Sequence, residues 1–253
     1  MVLLAALLPT FRPQEIPAPV WKLLAATSVV HGVYLYWMSR AFERADLSVA
    51  YPIVRSTPAL LPFLAFLWLG ERISPGGALG IAVTVGGVWL VHTQGAVRGR
   101  ALLAPGLGYA YLTLLTTVAY SLLDKRAMAV LEGSAWSGPL PRSLAYFALL
   151  TSGHTIVYTA IAARRIPRAA LRDAWRRERG RAALALAMGF AGYGLILEAY
   201  RRAPASYVVA VRQTSVLFAL AISARWLGEQ PSRARIAGAA ATVAGVVLIA
   251  LFP

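Results

Sequence analysis

Apolar segments of about 20 residues recur along this chain, and no other feature constrains its fold as strongly. A helix rises about 1.5 Å per residue, so a segment of that length crosses the roughly 30 Å hydrocarbon core of a bilayer. Because that core holds no water, the backbone hydrogen bonds of each segment must close within it, as they do in a helix. Charged residues are only 14% of the 253 residues, whereas soluble domains carry about a quarter. The sequence therefore predicts an all-α polytopic membrane protein whose main partner is the lipid bilayer.

Charged residues and turns divide the chain into about eight full transmembrane helices, preceded by a short N-terminal stub over residues 1–12. The predicted spans are Lys22–Arg40, Leu47–Leu69, Pro75–His92, Leu102–Leu123, Leu140–Ala162, Ala182–Tyr200, Ser206–Leu227 and Ile236–Phe252. The second span contains Pro52, Pro58 and Pro62, and proline removes a backbone donor from a helix. We expect this span to be kinked or locally unwound, with neighbouring helices satisfying the freed carbonyl groups.

The chain is strongly basic, with a formal net charge of +15. Most of its arginines lie between the apolar segments, where the enrichment of Lys and Arg in short cytoplasmic loops accounts for them. We therefore expect no nucleic-acid partner. Eight arginines lie in the segment 164–181, between the fifth and sixth spans. We interpret this segment as a solvated basic loop. The alternative is a short interfacial helix over Ala169–Arg179, with Leu171 and Trp175 on its apolar side.

The tetrapeptide WLGE occurs twice, as Trp68–Glu71 and Trp226–Glu229, 158 positions apart. The same offset aligns RADLS with RAPAS before the tetrapeptide, and a set of small and apolar residues after it. That set is Gly80, Thr84, Gly87 and Val88 in the first copy, and Gly238, Thr242, Gly245 and Val246 in the second. The chain therefore consists of two related halves. Because the seventh span, the equivalent of the second, comes five spans after it, an odd step, the second half is predicted to be inverted in the membrane.

Two stretches carry a resemblance to a known family. RADLSVAYPIVRSTPALLPFLAFLWLGERIS is followed by GIAVTVGGVWLV, and RRAPASYVVAVRQTSVLFALAISARWLGEQPS is followed by GAAATVAGVVLIAL. This doubled pattern resembles the EamA-like family of the drug/metabolite transporter superfamily. The resemblance implies an N-terminally shortened first repeat over residues 1–100, and a second repeat over residues 101–253 that includes the arginine-rich loop at 164–181. It also implies inverted helical bundles around a central cavity, small metabolites as substrates, and a place in the bacterial inner (plasma) membrane.

The WLGE tetrapeptides are interpreted as structural corners of the two repeats. The corner residues are Gly70, Glu71, Gly228 and Glu229. Glycine suits the left-handed cap at a helix end, and each glutamate is expected to cap the helix that follows, with Ser74 and Ser232 as N-cap candidates. Small residues four positions apart lie beyond each corner, and they let helices approach closely, either inside the monomer or across a homodimer. These pairs are Gly76 with Gly80, and Gly238 with Thr242.

Arg55 and Arg212 are the most informative polar residues, since each lies about 12 Å deep in its predicted span at about 1.5 Å per residue. An intramembrane arginine is costly and normally faces a partner or a water-filled cavity. At matched positions of an inverted repeat, both are expected to converge near the midplane and bind a carboxylate or phosphate group of a substrate. The alternative is that each reaches the nearest lipid headgroups or pairs within the protein. Further polar residues assigned to the same substrate site are Tyr51, Thr57, Gln213, Thr214 and His31.

His31, His154 and Glu198 are candidates for proton coupling, because each is ionisable and lies within a predicted span. The alternatives are that each histidine bonds a backbone group, and that Glu198 pairs with one of the arginines that follow it. Asp124 is followed at once by two basic residues, and we interpret it as part of an ordinary charged cluster at a helix end.

The chain has no cysteine, and none of the motifs typical of phosphate-binding loops, metalloproteases or serine hydrolases occurs in it. We therefore expect no enzymatic activity, no cofactor and no metal site. The sequence predicts a secondary transporter of a small anionic metabolite, working by alternating access at a mid-membrane cavity between the repeats. Two alternatives stay open: a shortened, non-transporting membrane scaffold, and a membrane-embedded protein that handles lipid phosphates.

Overall fold

The computed structural model describes residues 13–94, 102–134, 140–226 and 230–253. The predicted N-terminal stub lies outside these ranges, as do Gly228 and Glu229 of the second corner. Within the described ranges the regular structure is helical and includes no strand. The helices are α1 (Ala18–Arg44), α2 (Leu47–Arg55), α3 (Thr57–Leu69), α4 (Pro75–Thr93), α5 (Gly108–Glu132), α6 (Arg142–Ala163), α7 (Arg168–Arg202), α8 (Ala205–Val211), α9 (Ser215–Trp226) and α10 (Arg233–Leu251). Short 3₁₀ turns include Pro13–Glu15 and Arg212–Thr214.

Six stretches of the described chain have the length and apolar composition needed to cross a membrane. They are Val49–Leu69, Pro75–Thr93, Arg142–Ala163, Ala169–Arg202, Ala205–Trp226 and Arg233–Leu251. Large apolar side chains on them are exposed, among them Phe63, Leu195 and Phe218, as expected for surfaces that face lipid. The all-α membrane architecture is confirmed. Helices α1 and α5 fall outside the set of six, so the count of eight full spans stays a prediction.

The chain forms two compact units, and each draws on both halves of the sequence. The first unit comprises the described parts of residues 1–36 and 119–202, and the second comprises those of residues 37–118 and 203–253. The sequence repeats are therefore not the units that pack: equivalent helices from the two halves are partners inside one unit.

Helices α4 and α10, which occupy equivalent places in the two repeats, pack closely inside the second unit. A Cβ atom added to Gly80 would lie 2.7 Å from the carbonyl oxygen of Gly245, and one added to Gly87 would lie 2.6 Å from that of Gly238. Only glycine allows backbones to approach so closely. Because Gly80 is equivalent to Gly238, and Gly87 to Gly245, the contact is symmetric and the two helices are antiparallel. These small residues therefore act inside the monomer.

Two buried threonines lie at the same helix crossing. Thr84 donates its hydroxyl hydrogen to the carbonyl oxygen of Gly80, and Thr242 donates to that of Gly238, each at 2.9 Å. Both side chains are fully buried. Each hydroxyl is thus satisfied by its own helix, which leaves the contact between the helices free of unpaired polar groups.

The second and seventh predicted spans are both interrupted. The second breaks at Ser56 into α2 and α3, with Pro58 in the first turn of α3. This break agrees with the predicted kink, since Pro58 supplies no backbone donor to the preceding turn and its ring crowds the carbonyl group four residues earlier. In the seventh span the α-helix tightens into a 3₁₀ turn, Arg212–Thr214, between α8 and α9, and the backbone of Arg212 and Ser215 stays in the right-handed helical region. That segment has no proline, and its interruption was not predicted.

The expected helix caps are present at Gly70 and Ser74 of the first corner and at Ser232 of the second. Gly70 ends α3 in the left-handed conformation, with a φ of 69°. Ser74 accepts a hydrogen bond from the N–H of Gly77 at 2.9 Å, and Ser232 accepts one from the N–H of Arg235 at 3.4 Å. The two serines therefore begin α4 and α10.

Glu71 differs from the prediction, because it does not cap the helix that follows it. Its carboxylate accepts hydrogen bonds from the N–H of Ala205 at 2.7 Å and from the N–H and hydroxyl of Ser206 at 3.3 and 3.0 Å. These groups begin α8, where a negative charge interacts favourably with the helix dipole. Ser74 already occupies the N-cap of α4, so Glu71 instead ties the first corner to a helix of the other repeat.

The arginine-rich segment also differs from its interpretation as a loop. Residues 164–167 connect α6 to α7, and from Arg168 onward the chain is helical as far as Arg202. At about 1.5 Å per residue this helix is roughly 50 Å long, well beyond the hydrocarbon thickness of a bilayer. The expected loop at 164–181 is therefore a short connection followed by a charged extension of the span.

The close contact of α4 with α10 predicts a sharp difference between two adjacent glycines. Gly87→Ala should lower the apparent melting temperature of the detergent-purified protein, because the new methyl group must displace the α10 backbone, and overpacking costs about 1–3 kcal/mol. Gly86→Ala is the matched control. No atom lies within 4 Å of a Cβ added to Gly86, and replacing a glycine inside a helix with alanine stabilises the folded protein by up to about 1 kcal/mol. Equal melting temperatures for the two variants would contradict the close packing.

Candidate functional site

Arg55 lies at the end of α2, where the second span breaks. Its side chain is half-buried, and its Nε and Nη2 atoms donate to the hydroxyl of Tyr51 at 3.2 and 3.0 Å. Within the described ranges, no ion pair joins Arg55 to a carboxylate. A neutral hydroxyl therefore orients the guanidinium group without neutralising its charge.

Tyr51 is itself held by aromatic neighbours. Its ring stacks on His92, with centroids 4.6 Å apart and planes at 30°, and on Phe42 at 6.3 Å. His92 Nδ1 lies 2.8 Å from the carbonyl oxygen of Val88, which orients the imidazole in turn. The sequence assigned Tyr51 to the site of Arg55, and the two side chains do lie together.

Beside Arg55, the break itself is held by hydrogen bonds. Ser56 donates its hydroxyl hydrogen to the carbonyl oxygen of Pro52 at 2.7 Å and accepts one from the indole of Trp89, also at 2.7 Å. Thr57 begins α3 and is buried. An apolar groove of about 580 Å³ adjoins the break and is lined by residues such as Pro62, Val85 and Trp89. This groove suits hydrocarbon, and the charged end of Arg55 is not among its lining groups.

In the second half, Arg212, Gln213 and Thr214 form the turn that interrupts the seventh span. Gln213 is buried, and its amide donates to the carbonyl oxygen of Val209 at 3.3 Å, one turn back along α8. Arg212 and Thr214 are half-buried. Arg55 thus lies at a helix break and Arg212 in a 3₁₀ turn within its span, whereas their convergence on one ligand stays a prediction.

The first unit contains a buried polar cluster that sequence reasoning missed. Asp124 is fully buried, and three hydroxyl groups donate to its carboxylate. Thr27 and Tyr146 donate to Oδ1 at 2.8 and 2.9 Å, and Tyr193 donates to Oδ2 at 2.5 Å. The donors come from α1, α6 and α7. The interpretation of Asp124 as a helix-end charge is wrong, because α5 continues to Glu132 and the carboxylate lies inside the bundle.

His31 joins this cluster from α1. Its Nε2 atom lies 3.9 Å from Oδ2 of Asp124, and its Nδ1 atom lies 3.0 Å from the carbonyl oxygen of Thr27. The ring also stacks on Tyr120, with centroids 3.9 Å apart. The sequence placed His31 in the substrate site with Arg55, but His31 belongs to the first unit and Arg55 to the second.

His154 and Glu198, the other candidates for proton coupling, lie in different surroundings. The ring of His154 is nearly parallel to that of His31, with centroids 5.8 Å apart, and its Nδ1 atom is buried with no hydrogen-bond partner among the described residues. Glu198 pairs with Arg201 at 2.7 Å and with Arg202 at 3.0 Å. The geometry of Glu198 therefore matches the ion-pair alternative, and that of His154 places it beside the Asp124 cluster.

Known proteins resemble this chain along its whole length. The description "EamA-like transporter family" belongs to the family model that matches residues 1–93 and 105–251. A solved structure, described only as the crystal structure of a protein, superposes with a TM-score of 0.64. The alignment covers 99% of this chain and 94% of the other, at 16% sequence identity, which supports the fold alone. No curated protein matches the chain.

The hydroxyl groups around Asp124 predict a loss of stability when one is removed. Tyr146→Phe should lower the apparent melting temperature of the purified protein. Removing a hydrogen-bond donor from a buried carboxylate lowers the free energy of unfolding by about 1–3 kcal/mol. Tyr158→Phe, in the same helix, is the matched control, since that hydroxyl makes no hydrogen bond among the described residues. An unchanged melting temperature for Tyr146→Phe would mean that the hydrogen bond to Asp124 contributes nothing.

Proposed function

The chain belongs to the EamA-like transporter family, whose members are membrane transporters of small molecules, and from this premise we propose that it is a secondary transporter of small anionic metabolites. Its substrates carry a carboxylate or phosphate group that Arg55 receives. The protein exposes this site alternately to the two sides of the membrane, as inverted repeats permit. We place it in the bacterial inner membrane.

The proposed substrate class rests on one observation, the unneutralised positive charge of Arg55. The guanidinium group is half-buried in a membrane span, and among the described residues no carboxylate pairs with it. Such a charge normally faces water or an anionic ligand, because lipid solvates it poorly. The planar fork of arginine suits carboxylate and phosphate groups, to which it can donate two parallel hydrogen bonds. Tyr51, which already orients this fork, prepares it for such a ligand.

The interrupted spans support the same conclusion. Arg55 ends α2, and Arg212 opens the 3₁₀ turn between α8 and α9, so each repeat has an arginine where the regular α-helix is interrupted. Discontinuous helices at the substrate site recur in transporters built from inverted repeats. We therefore assign Arg212 to the same anion site as Arg55, with Thr57, Gln213 and Thr214 as neighbouring polar groups.

This assignment predicts that Arg55→Gln lowers uptake of anions into proteoliposomes by about tenfold or more. The hydrogen bonds lost are those to a charged group, worth about 1.5–3 kcal/mol, and about 1.4 kcal/mol corresponds to a factor of ten. Arg55→Lys should keep part of the activity, because the charge stays while the fork is lost. The measurement is initial uptake of labelled inorganic phosphate and of small mono- and dicarboxylates. Arg225→Gln, an exposed arginine at the end of α9, serves as the control and should transport like the wild type.

Arg212→Gln tests the second half of the site with the same assay. Its uptake should fall in the same direction as that of Arg55→Gln. Unchanged uptake in both variants would remove the anion site from the proposal. A wild-type protein that takes up neutral or cationic metabolites but none of the anions would contradict the substrate class itself.

A further inference from the structure

We propose that Asp124 and His31 form a proton-binding site in the first unit, and that a proton bound there is the coupling ion of transport. The coupling rests on the proposed transporter function, whereas the proton site itself does not. The site is built from side chains of four helices, α1, α5, α6 and α7, and its centre is the fully buried carboxylate of Asp124.

The hydrogen bonds of His31 determine which ring nitrogen carries the proton in the neutral form. Nδ1 lies 3.0 Å from the carbonyl oxygen of Thr27, which can only accept, so Nδ1 is the protonated nitrogen. It also lies 3.2 Å from the hydroxyl of Thr27, which donates its own hydrogen to Asp124 and can therefore accept one from the ring. In the neutral ring Nε2 is then the acceptor nitrogen. That acceptor faces Oδ2 of Asp124 at 3.9 Å.

Two acceptors that face each other define a place for a proton. With His31 neutral, the acceptor Nε2 lies 3.9 Å from a carboxylate oxygen, a contact longer than a hydrogen bond. Addition of one proton to Nε2 forms an N–H bond and converts this contact into an ion pair of imidazolium and carboxylate. The charge of the pair changes from −1 to 0, and release of the proton from Nε2 restores it. A buried charge in a membrane protein is costly, so this change of charge gives proton binding a free-energy effect on the bundle.

Other titratable or charged groups face the pair from each surrounding helix. From α1 and α5 these are Tyr34, whose ring packs edge-on against His31, and Tyr120, which stacks on it. Lys125 follows Asp124 in α5, and its ammonium group donates to the carbonyl oxygen of Tyr200. From α6 and α7 they are Tyr146, Tyr193 and His154. The two tyrosine hydroxyls donate hydrogen bonds to Asp124 and so stabilise its carboxylate. His154 stacks near His31, and repulsion between two imidazolium rings at this distance disfavours a charge on both of them.

The proton site is tested on the full-length protein in lipid nanodiscs by NMR of ¹⁵N-labelled histidine. The protein has three histidines, so His92→Gln and His154→Gln variants assign the signals. His31 should show a protonated Nδ1 at alkaline pH and gain a proton on Nε2 as the pH falls. Asp124→Asn should move the midpoint of this titration by about one pH unit or more, since an opposite charge within about 4 Å has an effect of that size.

Two further variants complete the NMR test. Asp173→Asn changes an exposed aspartate of α7 and should leave the titration of His31 unchanged. Tyr193→Phe keeps the carboxylate but removes one donor, and it should produce a smaller shift than Asp124→Asn, which keeps the test available if the asparagine variant does not fold. An identical His31 titration in wild type, Tyr193→Phe and every folded Asp124 variant would overturn the proton site.

Coupling is tested separately in proteoliposomes with the anion that exchanges best in the wild type. Asp124→Asn should retain exchange of labelled for unlabelled anion at equal pH on both sides, yet lose the acceleration of net uptake by a pH gradient. A variant that still responds to the gradient would overturn the coupling, while the NMR titration decides the proton site independently. A wild type that exchanges none of the anions would instead overturn the proposed function, so the two failures are distinguishable.

Discussion

The contact between α4 and α10 is the interaction on which the arrangement of the second unit depends. Lipid offers no hydrophobic driving force for helix association, so spans must pack through close van der Waals contact and internal hydrogen bonds. Glycines at equivalent positions of the two repeats bring the backbones together, and buried threonines bond within their own helices. The contact is symmetric because the two helices are equivalent in the repeat. Gly80 packs on Gly245, and their equivalents Gly238 and Gly87 pack on each other. Glu71 adds a second link between the halves by capping α8.

The same constraint explains why the polar residues inside the spans are informative. Asp124 and Arg55 both place charge where water is scarce, and the protein treats them in opposite ways. Three hydroxyl groups and a histidine surround Asp124, which suits a charge that is to be held and titrated in place. Arg55 is oriented by Tyr51 but has no carboxylate partner among the described residues, which suits a charge that is to meet a mobile ligand. The proposed proton site and the proposed anion site are thus different solutions to one solvation problem.

Much of the architecture could be predicted from residue patterns, whereas the polar cluster could not. Apolar length predicted membrane-spanning helices, and proline predicted that the second span is kinked or unwound, although not that the break is at Ser56. The 3₁₀ turn at Arg212–Thr214 contains no proline, so no residue pattern predicted it. Asp124 was misjudged because basic residues follow it and the predicted span ended one residue earlier; the run of hydroxyl residues along α5 was the signal that its helix lines a polar interior. The arginine-rich segment was assigned to a loop because its charge suggested solvent, but charge does not prevent a helix from continuing.

The sequence by itself determined that this chain spans a bilayer, that it is helical, and that its two halves are related. These properties follow from the length of the apolar segments, from backbone hydrogen bonding and from internal similarity, respectively. Only the tertiary structure decided which residues meet. The predicted substrate residues lie in two different units. Glu71 accepts a hydrogen bond from a residue 134 positions away, and hydroxyl donors from α1, α6 and α7 surround Asp124. Partners of that kind are set by how helices cross, and crossing depends on side-chain shape summed over whole interfaces rather than on any short stretch of sequence.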